Sequence, residues 1–329
     1  MDVSARTFSA IDYVVFGCML LISTAIGIYY MIKDRKKQTT EEYLLGGRSM
    51  SSYPVAFSLS VSFMSGVLIL GTTAEVYRYG TVYVWLLVAY VVMAVITAEI
   101  YIPTFYRMKL ASVYEYLEKR FSRTIRIQGT ILYMLHTIPY IGIVIYAPAL
   151  AVNAVTGLDI WSAAVSTGVI CIIYSSMGGL KAVIWTDAFQ AVIMLVGFFS
   201  ILIRGSILLG GIGKIWENCL DGERIELWRF SLDPRIRYTM WNLSIGGTVY
   251  YMSLFAVNQG QVQRFLSCRS LREAKKSVLL NIFGLITLAS LAILTGLTMY
   301  AHYHGCDPLS LGVVHKPDQK RFQTECNSI

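Results

Sequence analysis

The sequence predicts an all-α membrane protein whose helices cross the bilayer about eight times. Of its 329 residues, 55% are hydrophobic and only 15% are charged, and the mean hydropathy is +0.56. A soluble domain of this length carries about 25% charged residues. Apolar runs of about 20 residues, the length that spans a bilayer, recur along the chain. They occupy residues 11–32, 53–73, 81–102, 128–153, 159–178, 183–209, 241–263 and 277–302.

The distribution of lysine and arginine predicts that residues 1–10 lie outside the cell. The first run, 11–32, is longer than the apolar region of a signal peptide and lacks a small-residue cleavage site, so it is expected to be a retained leading helix. With that start, the cytosolic segments hold 17 of the 28 basic residues, as the positive-inside rule requires, while the short opposite loops hold only Arg78. These cytosolic segments are 33–52, 103–127, 179–182 and 264–276.

Two longer segments are expected outside the cell, a loop at 210–240 and a polar segment at 303–329. The second segment is either a short tail or an extracellular loop cut in its middle. It contains Cys306 and Cys326, which are candidates for a disulfide if the segment is extracellular. Asn242 begins an Asn-Leu-Ser sequon, although its closeness to the seventh run disfavours glycosylation.

The second run is interrupted by small and polar residues at SLSVSFMSG, residues 58–66. Its four serines and one glycine weaken a membrane helix and supply hydroxyl and carbonyl oxygens. A broken helix at membrane depth is tolerated where protein covers it or where it lines a cavity. The alternative is close helix packing, which small residues also favour.

The sixth run carries a carboxylate inside the predicted membrane. Asp187 and Gln190 are three residues apart, which places them on one face of a helix. A carboxylate in this position usually faces an aqueous path or a cation. The alternative is an interfacial carboxylate beside the basic loop that contains Lys181.

The seventh run is also interrupted, by Gly246-Gly247 and by the amide-rich sequence AVNQGQVQRF, residues 256–265. The alternative explanation is a polar helix end. The second and seventh runs cross the membrane in opposite directions, and two such interrupted helices are typical of secondary transporters built from inverted repeats. Hydroxyls, carbonyls and one carboxylate suit a hard cation such as sodium.

Several long segments resemble the sodium/solute symporter family, and in particular its animal branch of sodium-coupled monocarboxylate, sodium-dependent multivitamin and sodium/iodide transporters. The resemblance runs from about residue 10 to the end. The segments that carry it are PVAFSLSVSFMSGVLILGTTAEVYRYG (54–80), LASVYEYLEKRFSR (110–123), IGIVIYAPALAVNAVTGLDIW (141–161), GGLKAVIWTDAFQAVIM (178–194) and NQGQVQRFLSCRS (258–270).

This resemblance implies an incomplete LeuT-type inverted-repeat transporter fold. Residues 11–32 would be the leading helix, 53–209 the first five-helix repeat, and 241–302 the first two helices of the second repeat. The family continues with further helices, so the chain is expected to be a fragment, a truncated gene model or a short isoform.

The resemblance also implies roles for individual residues. The positions that match sodium-binding residues of the family are Ser62, Ser65, Asp187, Gln190 and Gln259. The substrate cavity is expected to involve Phe63, Met64, Leu68 and Tyr140. Leu68 stands where the iodide transporter has a glutamine, which argues against iodide.

The function implied by the resemblance is sodium-coupled symport of small organic anions across the plasma membrane by alternating access. Sodium would be the coupling ion, with no further cofactor, and the substrates would be monocarboxylates or vitamins such as biotin or pantothenate. The alternative is a truncated, non-transporting membrane interaction protein. No nucleophile–base pair, metal-ligand spacing or nucleotide-binding loop indicates an enzyme, and the basic residues of the loops are no signal for nucleic acid.

Overall fold

A computed structural model of the chain describes residues 9–33, 39–62, 64–233 and 235–304. Within these ranges the chain is built from α-helices, with short 3₁₀ or π turns between some of them and no β-strand. The helices are α1 (Ala10–Lys33), α2 (Thr40–Leu45), α3 (Ser52–Val61), α4 (Gly66–Tyr79), α5 (Leu86–Ile96), α6 (Ile102–Arg107), α7 (Val113–Arg120), α8 (Arg123–Thr156), α9 (Ile160–Leu208), α10 (Ile212–Asp221), α11 (Gly247–Phe255), α12 (Gln259–Leu266) and α13 (Leu271–His302).

Five helical stretches in the described ranges are long and apolar enough to cross a membrane. They are Ala10–Lys33, Leu68–Arg107, Arg123–Asn153, Ser175–Leu208 and Leu271–His302. The predicted second span consists of two short helices, α3 and α4, and the predicted seventh span of α11 and α12. Each of the two interrupted runs in the sequence is therefore an interrupted helix in the structure.

The predicted fifth and sixth spans meet at a sharp bend inside α9. Gly179 has φ 59° and ψ −162°, a left-handed φ that a residue with a side chain rarely adopts. A Cβ at this position would lie 3.0 Å from the Tyr43 carbonyl oxygen of α2. Beside the bend, Lys181 forms an ion pair with Glu42. These contacts hold α2 against the bend, at the end of the molecule that the charge distribution predicts to be cytosolic; we call this end the inner end.

The core surrounds α13, which packs against α3, α4, α5 and α9. Apolar side chains such as Leu59, Met93 and Leu285 are almost completely buried in it. The rings of Tyr90 and Tyr251 meet edge to face at 4.7 Å and connect α5 with α11. In the apolar part of α13, 50% is buried inside the bundle, compared with 11% in the apolar part of α1. The helix that follows the second break is thus the centre of the bundle.

One serine of the second span serves helix packing. Ser60 Oγ lies 2.9 Å from the Ala56 carbonyl oxygen and 2.8 Å from Asn281 Oδ1 of α13, and its single hydroxyl proton is shared between these two acceptors. Opposite it, a Cβ at Gly284 would lie 2.1 Å from Ser60 Oγ. The small-residue explanation considered for the serine-rich segment therefore applies to Ser60, where α3 and α13 approach closely.

At the opposite end of the molecule, which we call the outer end, the segment 224–227 lies over the beginning of the third span. The Thr81 amide donates to the Arg224 carbonyl at 2.9 Å, and Trp85 Nε1 donates to the Leu227 carbonyl at 2.6 Å. This segment leads into the seventh span and positions the residues that contact α4 at the outer end.

Candidate functional site

The break in the second span lies between Val61 and Gly66. Ser65 has extended backbone dihedrals, and its hydroxyl accepts a hydrogen bond from the Leu68 amide at 3.3 Å, which makes it the N-cap of α4. The Ser62 hydroxyl donates to the Ser58 carbonyl. A Cβ at Gly66 would lie 3.4 Å from Pro148 of α8. The broken backbone is thus covered by the fourth span, as irregular backbone at membrane depth requires.

The break in the seventh span lies between Phe255 and Gln259. Asn258 has extended backbone dihedrals and caps α12, since its side chain accepts from the Gly260 amide at 2.9 Å. The cap of α12 and the cap of α4 use the same physical device. A short polar side chain replaces the carbonyls that a continuous helix would offer to the first amides.

Three polar residues, one buried and two largely buried, meet at the inner side of these breaks. Ser58 Oγ donates to Asp187 Oδ2 at 2.6 Å. Arg264 donates from Nη2 to the same carboxylate oxygen at 3.2 Å and from Nε to Ser58 Oγ at 2.8 Å. We call these residues the inner cluster. Because they lie on α3, α9 and α12, the cluster connects the second, sixth and seventh spans.

The inner cluster is shielded from solvent. Ser58 is fully buried, and the side chains of Asp187 and Arg264 are each 15% exposed. A carboxylate in such a site needs a cation nearby, and charged residues inside membrane proteins usually pair with one another. Arg264 supplies that cation in this structure.

The structure brings some of the predicted sodium-binding residues together. Ser62 is connected to Asp187 through Ser58, whose carbonyl accepts from Ser62 and whose hydroxyl donates to the carboxylate. Ser65 lies across the break from Ser62. Gln190 is half-buried almost one turn after Asp187 on α9, and its side chain makes no hydrogen bond to any described residue.

Gln259 lies apart from the inner cluster in this structure. Its Oε1 accepts from the Val113 amide at 2.8 Å, and its Nε2 donates to the Ala111 carbonyl at 3.4 Å. Both contacts hold the beginning of α7 against α12. The position of Gln259 therefore gives it a structural partner that the sequence did not reveal.

The residues predicted for the substrate cavity lie on two elements. Met64 is buried in the break, and Leu68 is partly buried in the first turn of α4. Tyr140 of α8 is 38% exposed, and its ring stacks on that of His136, with centroids 6.1 Å apart. Phe63 falls outside the described residues, as do the disulfide candidates Cys306 and Cys326.

Two members of the inner cluster were not among the predicted site residues. Ser58 was one of four serines in the segment, and Arg264 had been assigned to a cytosolic loop. Asp187 itself was the signal that could have led to these partners, because an intramembrane aspartate usually pairs with a basic residue on another span. Arg264 could have been found on that ground, since it lies within the amide-rich sequence 256–265 of the seventh span.

A second charged group lies at the outer end. Arg237 donates from Nη2 to Glu75 Oε1 at 2.7 Å, and the Tyr238 hydroxyl donates to Glu75 Oε2 at 2.7 Å. We call these three residues the outer cluster. The side chains of Arg237 and Glu75 are 57% and 25% exposed. The outer cluster connects α4 to the residues that precede the seventh span.

The sequon asparagine takes part in a structural contact at the same end. Asn242 Oδ1 accepts from the Thr239 amide at 2.9 Å, and Nδ2 donates to the Arg237 carbonyl at 2.8 Å. Its side chain thus helps to hold the backbone of the outer cluster.

The chain is thus a helical membrane protein with two interrupted spans and a largely buried carboxylate beside them. This architecture is typical of secondary transporters. The Sodium:solute symporter family model matches residues 43–319, and the chain belongs to this family.

Curated relatives cover 95% of the chain. Sodium-coupled monocarboxylate transporter 1 of Homo sapiens is 49% identical over 313 residues, and sodium-coupled monocarboxylate transporter 2 of Bos taurus is 46% identical over 314 residues. The sodium/iodide cotransporter of Homo sapiens is 47% identical over 313 residues. The chain spans about half the length of these relatives, 51%, 51% and 49% respectively.

A solved structure shares the fold. It is the substrate-bound, outward-open state of a Na⁺-coupled sialic acid symporter, and it superposes with a TM-score of 0.84 at 24% sequence identity. The match covers 96% of this chain and 64% of that one. The predicted all-α, LeuT-type transporter fold is thereby confirmed.

Proposed function

We propose that the protein containing this chain is a sodium-coupled symporter of small organic anions at the plasma membrane. The observation that carries the proposal is the buried Asp187 carboxylate, which is connected through Ser58 to the broken second span. A sodium ion is the mobile cation that such oxygen ligands suit. The human and bovine sodium-coupled monocarboxylate transporters described above are 49% and 46% identical to the chain.

We propose that sodium is held at the second break by Ser62 and Ser65, with Asp187 and Gln190 on the path of binding and release. The Ser62 and Ser65 hydroxyl oxygens flank the break, where helical carbonyls lose their intrahelical partners. Met64, Leu68 and Tyr140 would line the substrate cavity. The contacts of Gln259 to α7 favour a supporting role for that residue.

We further propose that residues 53–209 form the first repeat and that residues 241–302 open the second. This division is supported by the two capped breaks, one in the first helix pair of each region. Inverted repeats place such breaks near the middle of the membrane, where the substrate and coupling ion bind.

The test is uptake by cells that express the complete reading frame containing these residues. Labelled short monocarboxylates, biotin and iodide are compared in sodium and in choline medium. We expect sodium-dependent uptake of a monocarboxylate, and no sodium dependence for any of the three would contradict the proposal.

Two matched serine variants locate the ion. Ser62→Ala is expected to raise the sodium concentration for half-maximal uptake about tenfold, since it removes an oxygen at the break. Ser60→Ala changes a neighbouring serine of the same helix that faces Asn281, and should leave this concentration within about twofold. Equal effects of the two variants, at equal surface expression, would rule out a sodium site at Ser62.

A further inference from the structure

The inner cluster contains a permanent cation, Arg264, on the path proposed for the sodium ion. Arg264 and Ser58 bind the same carboxylate oxygen, Asp187 Oδ2, and Arg264 also donates to Ser58 Oγ. The guanidinium therefore occupies oxygen atoms that would otherwise be available to an entering ion. A second cation at these oxygens would be repelled by the guanidinium, and burial makes that repulsion strong.

The same contacts close the inner side of the bundle. Arg264 belongs to α12, the half-helix after the break in the seventh span, and Ser58 belongs to α3, the half-helix before the break in the second span. Both are connected to Asp187 of α9, which is a long helix. When Arg264 leaves the carboxylate, α12 loses its polar connections to α9 and to α3, while Ser58 still connects α3 to α9.

The surroundings of α12 indicate that the observed position of this helix is one of two positions that it can take. Gln261 is fully buried, and neither its Nε2 nor its Oε1 has a hydrogen-bond partner among the described residues. The Thr186 hydroxyl, directly before Asp187, is likewise buried without a partner in the described part of the chain. Unpaired buried polar groups are unfavourable, and an arrangement that pairs or hydrates them gains relative to this one.

We propose that Arg264 is an internal counter-cation that competes with sodium for Asp187, so that sodium arrival releases α12 from α9 and α3 at the inner end. This inference rests on the proposed sodium-coupled function. Arg264 is thereby a positioning residue: it sets the apparent sodium affinity and couples ion binding to the opening of the inner side, without itself binding the ion or the substrate.

The first test removes the competing charge. In the complete reading frame, Arg264→Gln is expected to lower the sodium concentration for half-maximal uptake about tenfold, because sodium no longer displaces a guanidinium. Arg264→Lys keeps the charge and should stay within about threefold of the wild type. The matched control is Arg237→Gln, the same change in the outer cluster, for which we expect no change beyond about twofold.

The second test should move the same quantity in the opposite direction. Gln261→Met has similar volume and removes the unpaired amide, so it stabilises the arrangement in which Arg264 holds Asp187. The sodium concentration for half-maximal uptake should therefore rise several-fold. A general loss of folding would not lower the half-maximal sodium concentration in one variant. It also would not shift that concentration in opposite directions in two variants with equal surface expression.

A direct readout uses a membrane-permeant thiol reagent and a cysteine placed at Val257, which lies in the break directly before α12 and is 38% exposed. In the otherwise unchanged protein, sodium should change the labelling rate several-fold, whereas with Arg264→Gln the rate should already be shifted without sodium. Wild-type uptake that depends on sodium, together with an Arg264→Gln variant that changes neither the half-maximal sodium concentration nor the labelling rate, would disprove competition between Arg264 and sodium. The proposed sodium-coupled function would still stand. If wild-type uptake does not depend on sodium, both are wrong.

Discussion

The inner and outer clusters each contain an arginine–carboxylate contact and each connect the second span with the seventh, yet their surroundings differ. In the inner cluster both charged side chains are 15% exposed, while in the outer cluster Arg237 is 57% exposed. Breaking one partner of a buried ion pair costs about 3–5 kcal/mol, whereas an exposed pair is worth about 0–1 kcal/mol. Similar chemistry should therefore have a large effect on stability at one end and a small effect at the other.

The outer cluster has further contacts that do not depend on a buried charge. The Arg237 guanidinium lies 5.2 Å from the Tyr79 ring centroid and 5.3 Å from that of Tyr238. Tyr238 also meets the rings of Tyr79 and Tyr83 edge to face, each at 5.5 Å. Aromatic packing of this kind tolerates the loss of one polar partner.

The largest expected effect comes from removing one inner charge. Arg264→Ala leaves Asp187 buried without its cation and should lower the free energy of unfolding by about 3–5 kcal/mol. Unfolding of the purified chain in detergent, followed by denaturant titration, measures it. The double variant Arg264→Met with Asp187→Leu should recover most of the loss, because no unpaired charge remains. A loss below about 1 kcal/mol for Arg264→Ala would show that the Arg264–Asp187 pair contributes no more to stability than the exposed Arg237–Glu75 pair.

A second comparison concerns two glycines, Gly284 of α13, which faces the first half of the second span, and Gly71 in the second half of that span. Gly284→Ala adds a Cβ 2.1 Å from Ser60 Oγ, so α13 and α3 must separate or Ser60 must move, at a cost of about 1–3 kcal/mol. The control is Gly71→Ala in α4, where the new Cβ meets no atom of the described residues within 4 Å apart from its own stretch of helix backbone. That variant should be neutral or stabilising by up to about 1 kcal/mol, since alanine favours helix. Equal effects at the two positions would contradict the close approach of α3 and α13.

The outer cluster should respond to alkaline pH through Tyr238. Burial, followed by its hydrogen bond to Glu75, raises the pKa of Tyr238 to about 12. A folded-state pKa above the unfolded value of 10.0 gives stability that is complete below about pH 10 and disappears as the pH rises through about 12. The wild type should be more stable than Tyr238→Phe by about 1 kcal/mol at pH 8, and this difference should narrow above pH 10. A difference that stays constant across this range would show that the Tyr238 proton is not involved.

The smallest effect is expected for Arg237→Ala. The exposed pair with Glu75 and the ring contacts together should be worth no more than about 1 kcal/mol. High salt should reduce this difference further, whereas it should change the effect of Arg264→Ala little, because buried pairs are poorly screened. A loss of 3 kcal/mol or more would show that exposure does not separate the two clusters.

Much of the architecture was accessible from the residue pattern. The apolar runs predicted the long helices, and the serine-rich and amide-rich interruptions predicted that the second and seventh spans are broken. These features are local, because a bilayer requires about 20 apolar residues in succession and a break requires capping side chains within a few positions. Ser65 and Asn258 provide those caps.

Residue partners across the bundle were not accessible in the same way. The four serines of the second span look alike in the sequence, yet Ser58 contacts Asp187, Ser60 packs against α13, Ser62 bonds to its own helix and Ser65 caps the next one. Which direction a serine faces depends on the rotation of its helix against its neighbours. Periodicity in one span does not fix that rotation when the span is polar on more than one side.

The sequence by itself determined that this is a helical membrane protein with two broken spans and one intramembrane aspartate, because bilayer thickness and helix capping act on consecutive residues. Only the tertiary structure decided that Arg264, 77 residues further along the chain, pairs with Asp187, and that Gln259 supports α7. Those contacts depend on how separate spans pack, and the cost of burying a charge selects a partner by its position in space.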